Sequence, residues 1–143
     1  MLLLVAVSAA VLAAAASAAR LDVIRGTNGP DVLKGTSGGD LIYGGAGNDV
    51  IRGLHGNDVI YGGRGDDVIW PGAGADVQYG GEGNDVLHAL ANDNQTDVLD
   101  CGPGYDVAYV IVHDPVVLHG CEQVIRLNPD EAAAMAAANG DDG

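Results

Sequence analysis

From residue 22 onward the aliphatic residues come in doublets at a fixed spacing: Val23-Ile24, Val32-Leu33, Leu41-Ile42, Val50-Ile51, Val59-Ile60, Val68-Ile69 and Val86-Leu87. Each doublet and the residue after it predict a minimal three-residue strand. The six residues that follow, such as Gly44-Gly45-Ala46-Gly47-Asn48-Asp49, predict a turn. A fixed period of this length sets the architecture before any local motif does. Side chains alternate along a strand, so only the middle residue of each three points inward. That position reads Ile24, Leu33, Ile42, Ile51, Ile60, Ile69, Gln78 and Leu87, aliphatic except for Gln78, which is either a local weak point or a buried amide in need of partners. Two strands and two turns close one coil of 18 residues. Consecutive strands therefore belong to opposite sheets, and residues 18 apart stack.

The rhythm slips by three residues over 89–96 (Ala-Leu-Ala-Asn-Asp-Asn-Gln-Thr), expected as a bulging surface loop, and two degenerate repeats follow around Asp97 and Asp106. The branched runs at 108–112, 116–120 and 122–127 predict strands. Residues 108–128 are read as a β-rich cap over the open end of the coils, and 129–143 as a disordered tail or frayed helix. Residues 1–19 are uncharged and apolar and end in Ala16-Ser17-Ala18, which suits export with cleavage and a mature start near Ala19. A basic stretch before them is missing, so the true start is open, and if uncleaved the segment would just span a bilayer. The expected parts are thus an export signal (1–19), a repeat body (20–107), a cap (108–128) and a tail (129–143).

Composition sharpens this. Aromatic residues make up 4% of the chain and Phe is absent, so a conventional globular core is not available. The 23 glycines would suggest disorder or a fibrous repeat, and the period decides for the repeat. Net charge is −14, and ten of the 17 aspartates stand in register: Asp22, Asp31, Asp40, Asp49, Asp58, Asp67, Asp76 and Asp85, then Asp97 and Asp106 after the slip. Six Lys and Arg residues with no basic run exclude a nucleic-acid partner and leave cations as the natural one. Hard oxygen donors in flexible glycine turns suit Ca²⁺ better than Mg²⁺, and no cluster of soft ligands suits a transition metal. Cys101 and Cys121 predict one disulfide in an exported chain.

Residues 44–52, 62–70 and 80–88 (Gly-Gly-Ala-Gly-Asn-Asp-Val-Ile-Arg, Gly-Gly-Arg-Gly-Asp-Asp-Val-Ile-Trp and Gly-Gly-Glu-Gly-Asn-Asp-Val-Leu-His) resemble the hemolysin-type, or repeats-in-toxin, nonapeptide. Units 26–34, 35–43, 53–61 and 71–79 miss one or two of its glycines. The resemblance implies an all-β parallel β-roll, a right-handed β-helix, with Ca²⁺ held between stacked turns on both edges. It implies metal ligation by Asp22, Asp31, Asp40, Asp49, Asp58, Asp67, Asp76 and Asp85, with Asp97 and Asp106 as weaker candidates. Turn carbonyls would come from Gly44, Gly45, Gly47, Gly62, Gly63, Gly65, Gly80, Gly81 and Gly83. Pairs 18 apart allow up to six interior sites, Asp22/Asp40 being the weakest, while the slip weakens Asp76/Asp97 and Asp85/Asp106. One aliphatic side chain per nine residues does not offset the entropy of ordering them, and stacked carboxylates repel. Calcium binding and folding are therefore expected to be one event. The family departs from this chain in usually lacking an N-terminal signal peptide and often carrying an enzyme or toxin domain.

Lesser signals add little. Gly35-Thr36-Ser37-Gly38-Gly39 matches a nucleophile-elbow string but sits in register as another turn, without acid and histidine partners. Residues 93–97 lack the glycine and late glutamate of an EF-hand loop, and Asn94-Gln95-Thr96 is a glycosylation sequon only in a eukaryotic secretory host. His55, His88, His113 and His119 share no ligand spacing and are read as surface residues. Outside, Tyr43, Tyr61 and Tyr79 should stack as a ladder continued by Arg25, with an Arg52–Trp70 cation–π contact on the other sheet. The expected function is a secreted, non-enzymatic calcium binder. The alternatives are an adhesive or structural surface module that self-associates through the tyrosine face, marked by calcium-dependent oligomerisation, and the repeat part of a larger secreted hydrolase or toxin.

Overall fold

The computed structural model describes residues 20–139; the export segment expected at 1–19 and the last residues, 140–143, lie outside the described residues. Twelve strands form two six-stranded parallel sheets. The first holds β1 (Asp22–Arg25), β3 (Asp40–Ala46), β5 (Val59–Arg64), β7 (Val77–Glu82), β9 (Asp97–Asp100) and β11 (Val116–His119). The second holds β2 (Val32–Lys34), β4 (Val50–His55), β6 (Val68–Ala73), β8 (Val86–Ala89), β10 (Val107–Ile111) and β12 (Gln123–Leu127). The chain is an all-β parallel solenoid of about 6 turns, ~18 residues each, as the period required.

Between the sheets the inward positions stack in two columns. Ile24, Ile42, Ile60, Gln78, Leu99 and Leu118 pair in succession on one side, and Leu33, Ile51, Ile69, Leu87 and Ala108 on the other. Ile42, Ile51, Ile60, Ile69, Leu87 and Leu99 are fully buried. Burying one such side chain stabilises by roughly 1.5–3 kcal/mol. Gln78 is buried in this column; its Nε2 donates to the His88 carbonyl at 2.7 Å, and its Oε1 has no partner. Strands β3 to β7 are six or seven residues long rather than three, because the first turn residues of successive coils also pair, as in Gly45, Gly63 and Gly81.

The three-residue slip is absorbed in the exposed loop at 90–96 without loss of register: Val77 pairs with Val98 and Val86 with Val107. Residues 107–127, which include most of the β-rich cap expected at 108–128, add strands β10, β11 and β12 to the same two sheets. The Cys101–Cys121 disulfide is present, with Cα atoms 5.2 Å apart.

Within the segment read as a disordered tail or frayed helix lies a helix, α1 (Pro129–Asn139), which packs on β10 and β12 with Ala132 buried. It starts with a reciprocal cap: the Asn128 amide donates to Glu131 Oε2 and the Glu131 amide to Asn128 Oδ1, each at 3.0 Å. At its other end Arg52 Nη2 donates to the Asn139 carbonyl at 2.8 Å. Arg52 is thus spent on the helix: it pairs in register with Trp70, but the expected cation–π stacking between them is not seen among the described residues. Trp70 stacks on His88 instead, ring centres 3.4 Å apart. Tyr109 continues that stack at 5.2 Å. His88 corrects a second expectation: it is buried, its Nδ1–H donates to the Ile69 carbonyl at 2.8 Å, and burial pushes its pKa down to about 4. The other three histidines are exposed.

On the first sheet the tyrosine ladder stacks as expected, with Tyr43–Tyr61 at 5.1 Å and Tyr61–Tyr79 at 4.7 Å. The Arg25 guanidinium lies 4.7 Å over the Tyr43 ring. Among the described residues no helix is long and apolar enough to cross a membrane.

Candidate metal centre

Each turn delivers its sixth residue, an aspartate, to the start of the next strand. Because consecutive strands alternate sheets, Asp40, Asp58, Asp76 and Asp97 line one edge of the roll, and Asp31, Asp49, Asp67, Asp85 and Asp106 the other. Asp40, Asp49, Asp58, Asp67, Asp76, Asp85 and Asp106 are at most 1% exposed, and Asp97 is buried. Asp31 is half-buried and Asp22 exposed, since no coil precedes them among the described residues.

The two oxygens of each carboxylate have different fates. Oδ1 accepts the amide of the aspartate one coil earlier. The Asp31, Asp40, Asp49, Asp58 and Asp67 amides donate to Asp49, Asp58, Asp67, Asp76 and Asp85, each at 2.8 Å. The pattern survives the slip, from Asp76 to Asp97 at 3.0 Å and from Asp85 to Asp106 at 2.7 Å. The two pairs expected to be weakened by the insertion are therefore stacked like the rest. Oδ2 is left over. In Asp49, Asp58, Asp67, Asp76, Asp85 and Asp106 it is buried without any partner. Such an atom is costly, more so in a charged group.

The first coil differs. Thr27 and Thr36 replace the second glycine of their turns, and their amides donate to Oδ2 of Asp31 and Asp40, each at 2.6 Å. Their hydroxyls also bond these carboxylates. Oδ2 of Asp31 and of Asp40 thus has protein partners, which sets these two residues apart from the six above.

The surroundings of the free oxygens test whether Ca²⁺ fits. A Cβ added at Gly44 would run into Asp49 Oδ2 and the Gly62 carbonyl; one at Gly62 would meet Asp67 Oδ2 and the Gly80 carbonyl. At Gly80 it would meet Asp85 Oδ2 and the Cys101 carbonyl, and at Gly26 the Gly44 carbonyl and Asp31 Oδ2. The first glycine of the turn, having no Cβ, thus lets a carboxylate oxygen and a carbonyl of the next coil come close where a side chain would collide with both. The carbonyls of Gly45, Gly47, Gly63, Gly65, Gly81 and Gly83 face the second or fourth glycine one coil on. Among the described residues no three His, Cys, Asp or Glu side chains converge. A cation here would draw on one or two carboxylates and backbone carbonyls, an all-oxygen set of the kind calcium takes.

Burial pushes the Asp58 carboxyl up to about 8, with Asp76 and Asp40 adding repulsion and the Asp40 amide opposing the rise. Burial likewise raises Asp67 and Asp97 to about 7, and Asp76 and Asp85 to about 6. Asp49 and Asp106 are raised for the same reason. An acid whose folded pKa lies above its unfolded value of 3.8 binds protons preferentially in the folded state. The ion-free roll therefore loses stability as pH rises from 3.8, where the carboxyls of the unfolded chain ionise, to about 8, where the last of the folded ones does. Near neutrality the column needs either protons or cations.

A second side-chain ladder escaped the sequence reading. The fifth turn residue reaches forward to the amide one coil on: Asn48 Oδ1 to Asp66 and Asn57 Oδ1 to Ala75, both at 3.0 Å, Asp66 Oδ1 to Asn84 at 2.8 Å, and Asn84 Oδ1 to Tyr105 at 2.9 Å. The recurrent Asn or Asp before the register aspartate was its visible signal. In the loop at the slip, Asp93 Oδ2 takes the Gly74 amide at 2.8 Å and so restores a bond the missing turn would have supplied.

A family model described as RTX calcium-binding nonapeptide repeat (4 copies) matches residues 25–54, 43–78 and 72–96, together half of the chain. Comparison with curated proteins found no match, and neither did comparison with solved structures. With the coil period, the glycine turns and the register aspartates from Asp31 to Asp85 falling within that match, the chain belongs to the RTX calcium-binding nonapeptide-repeat family.

Proposed function

We propose that this protein is an exported, non-enzymatic calcium binder that takes up several Ca²⁺ ions between stacked turns and completes its folding as it does so. The observation that carries this reading is the run of buried carboxylates, Asp49, Asp58, Asp67, Asp76 and Asp85, each with one oxygen satisfied and one unpartnered. Calcium would supply the positive charge that lets these groups stay ionised inside the roll. The chain does the rest. Aspartate Oδ1 holds each carboxylate against the coil before it, the first glycine lets the carbonyl of the next coil approach Oδ2, and that carbonyl would add to the oxygen set. Export is supported by the apolar segment at 1–19 and by the disulfide; the non-enzymatic reading is supported by the lack of a nucleophile–base pair in the sequence.

Equilibrium dialysis against Ca²⁺ and Mg²⁺ tests this proposal. Several equivalents of Ca²⁺ should bind, and Mg²⁺ at the same concentration should neither bind comparably nor displace them, since it demands a stricter octahedron. Equal uptake of the two ions, or of neither, would refute it.

A further inference from the structure

The C-terminal end of the roll carries an acidic pair that the nonapeptide does not provide. Val107 of β10 pairs with Gln123 of β12, so Glu122 lies opposite Asp106, where the next register aspartate would fall. The last turn has shrunk. Cys101 to Asp106 still spans six residues, whereas the final coil reaches this position two residues after Gly120, as Gly120-Cys121-Glu122. A side chain one methylene longer bridges the difference: Glu122 Oε2 accepts the Asp106 amide at 2.8 Å. In the layers below, aspartate Oδ1 accepts that same bond.

Asp106 is fully buried, its Oδ1 is taken by the Asp85 amide, and its Oδ2 has no partner. Glu122 is exposed, so the pair can be reached from solvent. A buried carboxylate with an unsatisfied oxygen, and a second carboxylate held on its own backbone amide, need a counter-charge, and no basic side chain bonds to either among the described residues. The disulfide lies at the same spot. Cys101 opens the turn that ends in Asp106, and Cys121 immediately precedes Glu122.

We propose that Asp106 and Glu122 form an additional Ca²⁺ site at the C-terminal edge, beyond the residues matched by the repeat family, and that the Cys101–Cys121 bond holds Glu122 in register for it. This rests on the calcium reading of the repeats. The test compares intact protein with Glu122→Gln, which keeps an acceptor for the Asp106 amide and loses only the charge. Calcium bound at saturation is counted by equilibrium dialysis, with far-UV circular dichroism reporting the fold. Glu122→Gln should bind one equivalent fewer, with the same spectrum at saturating Ca²⁺. Reducing the disulfide should weaken one equivalent in the intact protein and change nothing further in Glu122→Gln. Equal stoichiometry and affinity in the two proteins would overturn the proposal. If neither protein bound calcium, the reading of the repeats would fail with it, a result distinct from the loss of one equivalent.

Discussion

Asp67→Asn is expected to raise the calcium concentration at the folding midpoint by at least about tenfold, and to leave the ion-free chain no less stable. Asp67 stacks with Asp49 below and Asp85 above, so its carboxylate serves two layers. Asparagine keeps an oxygen for the Asp49 amide and removes the charge together with the unpartnered buried Oδ2. Loss even of residues that merely orient metal ligands costs roughly 10–100-fold in affinity, and a carboxylate ligand should cost no less. Without calcium the same change removes a group that burial has pushed up to about 7, and so relieves repulsion rather than adding it. Asp67→Ala separates the two roles. It should lose calcium affinity as asparagine does and also destabilise the loaded roll by roughly 1.5–3 kcal/mol, the net worth of a hydrogen bond to a charged acceptor. Calcium titration and denaturant unfolding of the three proteins check this. An unchanged midpoint in Asp67→Asn would mean that the aspartate column is a hydrogen-bond ladder and nothing more.

Gly65→Ala should abolish the roll or cost at least about 3 kcal/mol, a large part of what a domain of this size has to lose. Its φ is +121°, outside the range of L side chains, and a Cβ there would run into the Gly47 carbonyl of the coil below. The fourth turn position is glycine in all eight six-residue turns, at Gly29, Gly38, Gly47, Gly56, Gly65, Gly74, Gly83 and Gly104. The second position is less strict. Leu54 occupies it with φ 87°, closer to the left-handed helical region that side chains can enter at a cost. Thr27 and Thr36 occupy it in the first coil and use the space to bond an aspartate. Denaturant unfolding in saturating calcium reads the difference. A Gly65→Ala protein as stable as the parent would mean that the coils sit farther apart than the backbone contacts here require.

Much of this was legible in the sequence because one residue's environment is copied every 18 positions. The inward column, the alternation of sheets and the Tyr43–Tyr61–Tyr79 ladder all follow from counting. What stayed hidden lies where the copying stops. The insertion at 90–96 looked as if it should break the column, yet a solenoid needs register only where strands pair, and a loop on the edge can lengthen freely. Residues 107–127 keep neither the glycines nor the aspartate spacing, so their strands were visible but their place in the same two sheets was not. His88 is buried between the stacked rings of Trp70 and Tyr109 on the sheet against which α1 packs, and periodicity carries no information about where that helix docks. The sparing of Asp31 and Asp40 by Thr27 and Thr36 needed atomic positions, since a threonine in a glycine slot reads from sequence only as a defect.

Far-UV circular dichroism of the chain during a Ca²⁺ titration, with Mg²⁺ as the control, tests most directly whether calcium binding and folding are one event. A cooperative change from coil to β structure with Ca²⁺ alone is the expected result, because no basic side chain among the described residues pairs with the buried carboxylates. An ion-free chain that is already β-rich, with a spectrum calcium does not alter, would contradict it.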